Sequence, residues 1–321
     1  MRRIAIALGD PNGIGPEIVL KALAEQRHAA DWRGIDLQLT VFGPAAVLQA
    51  TAQRLGLTDI LTGLDVHPCG ELAPELFQPG QVMAAAGASA IAAASAAIRA
   101  CDAGQFDAVL AGPHHETAIA QAGIDFSGYP SLVARVCGQA EGSVFLLLIG
   151  GGLRIVHVTL HESVATALAR ITPNLIVQAT QAGLRGCALL GLREPSVGLF
   201  GINPHASEGG LFGAEDTQCT VPAAAQLRAA GVRVSDPQGG DVLLAQRAHD
   251  LYVAMFHDQG HIPIKLLAPR CASALSIGAR VLLATTGHGS AMDIAGQGLA
   301  RPEALLRSLR LLATGETPAA A

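Results

Sequence analysis

Short apolar runs alternate with longer helical patterns along most of this 321-residue chain, and this alternation constrains the fold more than any other feature. Segments with helical spacing lie at 16–26, 84–103, 163–183 and 217–230. Strands that alternate with helices predict an α/β fold with parallel or mostly parallel sheet. The strand candidates are RIAIAL, LQLTVFG, AVLAGP, SVFLLLIG, RIVHVTL, SVGLFGI, LYVAMF and RVLLATTG. Between SVFLLLIG and RIVHVTL, a Gly-Gly turn predicts an antiparallel hairpin instead.

Charge and cysteine content narrow the classes of partner. The net charge is −5 and no run of lysines or arginines occurs, which argues against nucleic acid or an acidic membrane surface as partner. Six scattered cysteines without a CxxC pair are typical of reduced thiols in a cytoplasmic protein. The N-terminal apolar run meets a turn too soon for a signal peptide, and the alanine-rich segment 84–100 has the weak hydrophobicity of a packed core helix.

Three histidines occupy similar positions in the sequence. His161, His205 and His257 each lie at or just after an apolar strand candidate, 44 and 52 residues apart. Three neutral imidazoles with an open position are the ligand set of a catalytic zinc-type site. The alternative is that each histidine only forms hydrogen bonds at a strand end.

The stretch MFHDQGHIPIK raises a separate possibility. His257 and His261 are four residues apart, so a helix would place them on one face where they could share a metal. Gly260 and Pro263 argue against that helix, so His261 is left without a role. Asp258, Lys265 and, farther away, Asp241 are candidates for orienting a metal ligand, binding a carboxylate or moving a proton; solvated ion pairs are the alternative.

Two glycine-containing loops could approach a cofactor. LGDPNGIGPE, at 8–17, is a strand, a turn and a helix start; glycines such as Gly13 could admit an anion to backbone amides, or simply form a tight turn. It does not match the G-x-G-x-x-G fingerprint. TTGHGSAMDIAGQG, at 285–298, is expected to enter a short helix; it could close on a planar ligand with Asp293 on a ribose hydroxyl, or serve only as a helix cap between loops.

These motifs carry a family resemblance. GDPNGIGPE, GPHHETAI, INPHASEGG, FHDQGHIPIK and GHGSAMDIAGQG occur in the order and about the spacing of the 4-hydroxythreonine-4-phosphate dehydrogenase family of pyridoxal phosphate biosynthesis. The chain resembles that family along nearly its whole length, and HGSAMDIAG is also similar to the NAD loop of isocitrate and isopropylmalate dehydrogenases. The resemblance implies two α/β/α domains with a cleft between them, and an obligate homodimer. With candidate crossings at 124–131 and 268–276, it predicts one domain of residues 1–127 plus 277–321, and a second of 128–276 with the metal ligands and the dimer interface.

The resemblance also implies roles for individual residues. His161, His205 and His257 match three metal ligands, one of which crosses the dimer. Lys265 matches the family's substrate-binding lysine, and Asp241 and Asp258 match its two active-site aspartates. NAD or NADP would bind without a Rossmann fingerprint, at Gly13, Gly287, His288, Gly289, Ser290, Ala291 and Asp293. Histidine ligation suits Zn, Co, Ni or Fe, whereas related dehydrogenases use Mg or Mn.

Several substrate positions depart from the biosynthetic pattern. A Gly-His-Thr stretch becomes Gly128-Tyr129-Pro130, an asparagine becomes Ser276, and Arg280 is the basic residue nearest to a family arginine. His115 keeps its place in the GPxHK stretch, whereas the lysine after it becomes Glu116. A retained metal and cofactor set with altered substrate groups predicts the same reaction type on another substrate.

One branch of the family fits these departures. GPHHETAI, GYPSL, TLHES, GINPHASEG and GHIPIKLLAP are similar to the cis-dihydrodiol dehydrogenases of terephthalate breakdown. The predicted reaction is oxidation and decarboxylation of 1,2-dihydroxy-3,5-cyclohexadiene-1,4-dicarboxylate to protocatechuate. The alternatives are the vitamin B6 enzyme with its phosphorylated hydroxy acid, a non-redox metal hydrolase, and a non-catalytic metal-binding protein.

Overall fold

The structure is a computed structural model that describes residues 1–140, 142–269 and 272–315. All eight predicted strands are present, and two further short strands, Asp65–Pro68 and Ser273–Ile277, were missed. In chain order the strands are β1 (Arg2–Ala7), β2 (Leu37–Gly43), β3 (Asp65–Pro68), β4 (Ala108–Ala111), β5 (Phe145–Gly150), β6 (Leu153–His157), β7 (Val197–Leu199), β8 (Leu251–Ala254), β9 (Ser273–Ile277) and β10 (Leu283–Thr286).

Helices occupy each of the four predicted segments. Segment 163–183 holds two helices rather than one, because Ser163 and Thr172 each cap a new helix by accepting from a backbone N–H three residues on. The helices are α1 (Gly15–His28), α2 (Ala45–Leu55), α3 (Ala84–Asp102), α4 (Glu116–Gln121), α5 (Tyr129–Val136), α6 (Val164–Arg170), α7 (Pro173–Leu189), α8 (Val221–Ala229), α9 (Gly240–Gln246), α10 (His257–Leu267) and α11 (Glu303–Thr314).

The chain divides into two compact units. Unit 1 contains residues 1–139 and the described residues from Arg280 onward, and unit 2 contains 140–279. The sheet of unit 1 is parallel, in the order β3-β2-β1-β4-β10. Helix α3 packs on this sheet through buried alanines. By length and composition α3 could cross a membrane, but 61% of its apolar window is buried inside the protein, which is typical of a core helix.

Unit 2 has a mixed sheet in the order β9-β5-β6-β8-β7. Strands β5 and β6 form the predicted hairpin; Gly151 and Gly152 have φ values of 58° and 78°, as a two-residue turn of this hand requires. The strands β6, β8 and β7 are parallel neighbours. The core of this unit includes Leu148 of β5, Ile155 of β6 and Phe200, which follows β7.

The two units differ from the predicted domains at both boundaries. Residues 128–139 belong to unit 1, because the buried Tyr129 ring packs against His114 and its hydroxyl donates to the Gly112 carbonyl. At the second boundary, residues 277–279 stay in unit 2, because Ile277 still pairs with Phe145 in the sheet. Five cysteines (69, 101, 137, 187 and 219) are free thiols, and Cys271 lies outside the described residues.

Candidate active site

The three predicted metal ligands follow three adjacent parallel strands of unit 2. His161 lies just beyond β6, His257 opens the helix after β8, and His205 follows β7. Because the strands are parallel neighbours, their carboxyl ends lie at one edge of the sheet, which is where open α/β sheets bind ligands. The predicted placement at strand ends is therefore confirmed.

The segment that starts at His257 is helical, so the expectation that Gly260 and Pro263 prevent a helix was wrong. Helix α10 runs from His257 to Leu267 with Pro263 inside it. Its start is fixed by the Gln259 side chain, whose Oε1 accepts from the Met255 and Phe256 amides at 2.8 and 3.1 Å. Ile264 anchors its inner face in the core of unit 2. Capping and burial together outweigh the local cost of glycine and proline.

Within α10, His257 and His261 stack with ring centroids 3.6 Å apart and planes inclined by 11°. The His161 ring lies 5.6 Å from that of His257. Asp258 Oδ1 is 2.7 Å from His257 Nδ1, so this nitrogen donates when it carries the proton, and Nε2 is then a free lone pair. A carboxylate that orients a histidine in this way is common behind metal ligands. The geometry therefore gives Asp258 an orienting position.

A fourth histidine, His157, was missed by the sequence analysis. It is fully buried at the end of β6; its Nδ1 lies 3.3 Å from the Leu146 carbonyl and its Nε2 lies 3.1 Å from His261 Nδ1. Since a carbonyl only accepts, His157 carries its proton on Nδ1 and accepts at Nε2 from His261. The only sequence signal was a histidine inside an apolar strand, four residues before His161.

Burial keeps this histidine pair neutral. It lowers the pKa of His157 from 6.5 to about 3, and burial followed by the neighbouring His257 lowers the pKa of His261 to about 4. His261 Nδ1 also lies 3.2 Å from the His257 carbonyl, so its proton is shared between two acceptors. His261, left without a role by the sequence, thus connects the partly exposed ring of His257 to the buried ring of His157.

Lys265 and Asp241 occupy different surroundings. Lys265 is exposed one helical turn beyond His261, so it extends the same face of α10. Asp241 is exposed in the first turn of α9. The missing side chain of Gly239 leaves room for the Asp241 carboxylate, which lies 2.6 Å from where a Cβ would stand.

His205 lies in an unusual backbone turn. Residues 205–209 all have positive φ, between 42° and 70°, and four of the five are not glycine. Left-handed helical backbone costs roughly 1–2 kcal/mol per residue for ordinary amino acids. The His205 ring lies 6.0 Å from that of Phe212 and has no ring contact with the other histidines of the described chain.

The candidate metal ligands form only part of a donor set in the described chain. Over residues 1–140, 142–269 and 272–315, no three His, Cys, Asp or Glu side chains are grouped closely enough to hold an ion. The paired rings of His161 and His257, with Nδ1 of His257 held by Asp258, nevertheless supply nitrogen donors of the kind that zinc and other divalent transition metals bind. The residues fit such a group in part, and the arrangement needs a third donor.

The predicted cofactor loop of unit 1 packs against the GDPNG turn. The Ile14 amide donates to the Ser290 carbonyl at 2.9 Å, and a Cβ on Gly13 would lie 2.7 Å from that of Ser290. Residues 292–298 form turns, so the expected short helix was wrong. Asp293 is exposed, and only its backbone carbonyl accepts, from Gln297, in a described hydrogen bond. Gly287, His288, Gly289 and Ala291 lie in the same loop, where Ala291 has a φ of 40°.

The candidate substrate residues have mixed exposure. Tyr129 is buried, which raises the pKa of its phenol, and Pro130 follows it in the first turn of α5. His115 caps α4 by accepting the Ala118 amide at Nδ1, next to Glu116. The remaining two candidates lie elsewhere: Ser276 is buried within β9, and Arg280 is exposed and paired with Asp102 at 3.4 Å.

Two polar residues just beyond the ends of β1 and β4, each with a buried polar atom that has no described partner, were also missed. Asp10 is fully buried; its Oδ1 accepts the Asn12 amide, whereas its Oδ2 has no partner in the described structure. Burial raises the pKa of Asp10 to about 6. His114 Nδ1 is likewise buried without a described partner. Both follow the carboxyl ends of their strands, which is where α/β sheets bind ligands. The available sequence signal was an aspartate shortly after a strand.

Comparison with known proteins identifies the family. A model of the pyridoxal phosphate biosynthetic protein PdxA matches residues 17–312. The chain belongs to the PdxA family. It is 36% identical to the 4-hydroxythreonine-4-phosphate dehydrogenase of Maricaulis maris over 95% of both chains, and 58% identical to the 1,2-dihydroxy-3,5-cyclohexadiene-1,4-dicarboxylate dehydrogenase of a Comamonas species over 97% of both. Its relatives in the PdxA family are dehydrogenases, so the predicted oxidoreductase class and branch are confirmed.

Solved structures agree with this assignment. The terephthalate 1,2-cis-dihydrodiol dehydrogenase of Burkholderia xenovorans LB400 is 47% identical and superposes with a TM-score of 0.75 over 99% of both chains. A β-decarboxylating dehydrogenase from Thermococcus kodakarensis is 19% identical with a TM-score of 0.52, covering 97% of this chain and 82% of that one, which shows a shared fold only. The mixed α/β fold predicted from the sequence is therefore confirmed.

Proposed function

We propose that this PdxA-family dehydrogenase oxidises 1,2-dihydroxy-3,5-cyclohexadiene-1,4-dicarboxylate and releases protocatechuate, CO2 and NAD(P)H. The observation that carries the proposal is the 58% identity, over nearly the full length of both chains, with an enzyme named for this substrate. A different substrate from that of the vitamin B6 enzyme is supported by three altered residues, Tyr129, Pro130 and Ser276. They stand where the biosynthetic members of the family have His, Thr and Asn.

The chemistry follows from the substrate. It is a β-hydroxy acid, and oxidation of its CHOH carbon transfers a hydride to the nicotinamide while the hydroxyl proton leaves. The β-keto acid that results loses CO2, and the electron pair of the broken C–C bond forms an enolate. Protonation of that enolate gives an aromatic phenol, so aromatisation makes the overall sequence favourable. No further oxidant or reductant is needed.

Residues of unit 2 would prepare this reaction. His161, His205 and His257 would hold a divalent metal, zinc being the best match to nitrogen donors, and the metal would supply Lewis acidity toward the hydroxyl and the enolate oxygen. Asp258 keeps His257 oriented. Lys265, at the end of the histidine face of α10, would bind a substrate carboxylate or assist deprotonation of the hydroxyl together with Asp241.

The cofactor and the assembly are part of the proposal. NAD or NADP would bind at the loop of residues 287–293 and Gly13, with Asp293 free to hold a ribose hydroxyl. A homodimer is supported by large apolar side chains of unit 2 that are exposed in the single chain, among them Leu211, Phe212, Ile262 and Leu266. A cytoplasmic location is supported by the free cysteines.

The second candidate is 4-hydroxythreonine-4-phosphate oxidation, which the 36% identity with the Maricaulis enzyme favours. The test is a substrate panel with both substrates, NAD and NADP, and metal analysis of the purified protein. We expect NAD(P)H, CO2 and protocatechuate in equal amounts from the dihydrodiol. Turnover of only the phosphorylated substrate would overturn the proposal, and absence of NAD(P)H binding would favour a hydrolase. Replacing Tyr129-Pro130 with His-Thr should not improve dihydrodiol turnover.

A further inference from the structure

We propose that Asp216 is a positioning residue that holds the left-handed turn of residues 205–209 and thereby presents His205 as a metal ligand. The proposal rests on the proposed metal role of His205. Asp216 lies at the start of the π-type turn Asp216–Thr220 that precedes α8, eleven positions after His205 in the sequence, and it is fully buried. Sequence motifs gave it no role.

Four donors converge on the Asp216 carboxylate. Oδ1 accepts from the Ile202 amide at 2.8 Å and the Thr220 hydroxyl at 2.7 Å. Oδ2 accepts from the Asn203 amide at 3.0 Å and the Ser207 hydroxyl at 2.7 Å. Two of the donors precede His205 and one follows it within the left-handed turn. The carboxylate therefore fixes the chain on both sides of the histidine.

Neighbouring groups support the same backbone shape. Asn203 Nδ2 donates to Ser207 Oγ at 3.1 Å and to Glu215 Oε2 at 2.7 Å. Gly201 gives the turn room to pack, because a Cβ there would lie 2.8 Å from both Cα and Cβ of Ala206. A run of positive φ is unfavourable for ordinary residues, so the turn needs hydrogen bonds that hold the chain on both sides of His205.

The turn is also connected to the helix that carries His257. Gln259 Nε2 donates to the Gly201 carbonyl at 3.0 Å, while its Oε1 caps α10. Strands β7 and β8, which lead into these two segments, are paired in parallel. Asp216 therefore acts on a segment that is already tied to the start of the α10 histidine face.

Asparagine is the informative replacement for Asp216, because it has nearly the same size but one amide nitrogen in place of an oxygen. In either orientation of its side chain, the NH2 group would face a backbone N–H, that of Ile202 or of Asn203. Two donors cannot form a hydrogen bond, so one of the hydrogen bonds that hold the chain just before His205 is lost. Asp250→Asn is a matched control: Asp250 Oδ2 binds the amide and hydroxyl of Ser196, where β7 and β8 begin, away from His205.

The test measures Zn²⁺ and Co²⁺ affinity of the full-length chain after removal of metal with a chelator. We expect D216N to weaken binding by about 10- to 100-fold, the range seen for residues that orient metal ligands, and D250N to leave it within about 3-fold of wild type. Co²⁺ absorption spectra would show the loss of one histidine ligand in D216N. Ser207→Ala, which removes one donor of the four, should give an intermediate loss and remains useful if D216N fails to fold.

A double-mutant cycle separates positioning from general damage. If Asp216 acts through His205, adding D216N to His205→Ala should weaken metal binding no further. Two results would overturn the inference and leave the proposed function standing. One is that the losses of metal affinity in D216N and His205→Ala are additive. The other is that D216N binds metal as tightly as D250N does, while His205→Ala binds it more weakly than wild type. Equal affinities of wild type and His205→Ala would instead overturn the proposed ligand set, and the inference with it.

Discussion

Gly260 is the residue on which the packing of the buried histidine pair depends. A Cβ at this position would lie 2.3 Å from His157 Nε2 and within 3.0 Å of two further ring atoms. The His157 ring has no room to retreat, because it is fully buried and its Nδ1 bonds to the Leu146 carbonyl. The glycine that weakens the case for a helix from sequence is therefore the residue that lets α10 lie against β6.

We expect Gly260→Ala to destabilise the protein by about 1–3 kcal/mol, the usual cost of overpacking a core. The displaced His157 ring would also lose its hydrogen bond to His261. Chemical denaturation measures the change, with Gly289→Ala as control because nothing lies within 4 Å of its Cβ position. The cost of the alanine should fall in a His157→Ala background. An equal cost in both backgrounds would mean that the contact with His157 is not its cause.

At the scale of elements, Glu17 links helix α1 to the end of the predicted cofactor loop. Its carboxylate is nearly buried and accepts from the Ala300 amide at 2.8 Å, from the Gly298 amide at 3.3 Å and from Lys21 Nζ at 2.8 Å. Lys21 in turn donates to the carbonyls of Gly298 and Ala300. The last residue of the GDPNGIGPE motif thus holds residues 298–300, where the predicted cofactor loop ends.

Replacing Glu17 with glutamine should release that segment. The amide nitrogen of glutamine would face one of the two backbone amides, so we expect a loss of about 1–3 kcal/mol in stability. NAD(P)H affinity, measured by fluorescence titration, should weaken, whereas Zn²⁺ affinity should not change because the proposed metal ligands belong to unit 2. Glu25→Gln, exposed two turns later on α1, is the control. Unchanged cofactor affinity would contradict this role of Glu17.

The elements that sequence could predict are those specified by local pattern. Strands such as β1 and β8 have a clear apolar pattern, and the double glycine marks the hairpin. Helix α10 was missed because Gly260 and Pro263 are locally unfavourable, and the packing that compensates for them comes from distant residues. The short strand β3 was missed because it is polar and mostly exposed.

The same reasoning separates the predictable from the unpredictable parts of the site. His161, His205 and His257 could be selected because each follows a strand. The left-handed turn at His205 could not, because four ordinary residues adopt it only where Asp216 satisfies the flanking donors. His157 was missed because a histidine in an apolar strand gives no sign of its partner, His261, which lies 104 positions later.

At the scale of the whole molecule, the described chain brings two of the three proposed ligands together and leaves the third apart. His161 and His257 are ring neighbours, whereas His205 contacts Phe212. Leu211 and Phe212, exposed just after the His205 turn, are side chains that a second copy of the chain could bury. A site completed across a homodimer, with His205 from one subunit and His161 and His257 from the other, accounts for both observations.

Mixed dimers test this arrangement directly. His161→Ala and His205→Ala should each abolish dehydrogenase activity when alone. In a heterodimer of the two variants, one site would combine both substitutions, while the other would contain intact His161, His257 and His205. We therefore expect unfolding and reassembly of an equal mixture to restore about a quarter of wild-type activity, since half of the dimers are mixed and each has one intact site. A mixture of His161→Ala with His257→Ala is the control and should stay inactive. In the proposed arrangement one subunit supplies both His161 and His257 to a site, so every site would lack one of the two. Recovery in neither mixture, despite proven exchange of subunits, would place all three ligands within one chain.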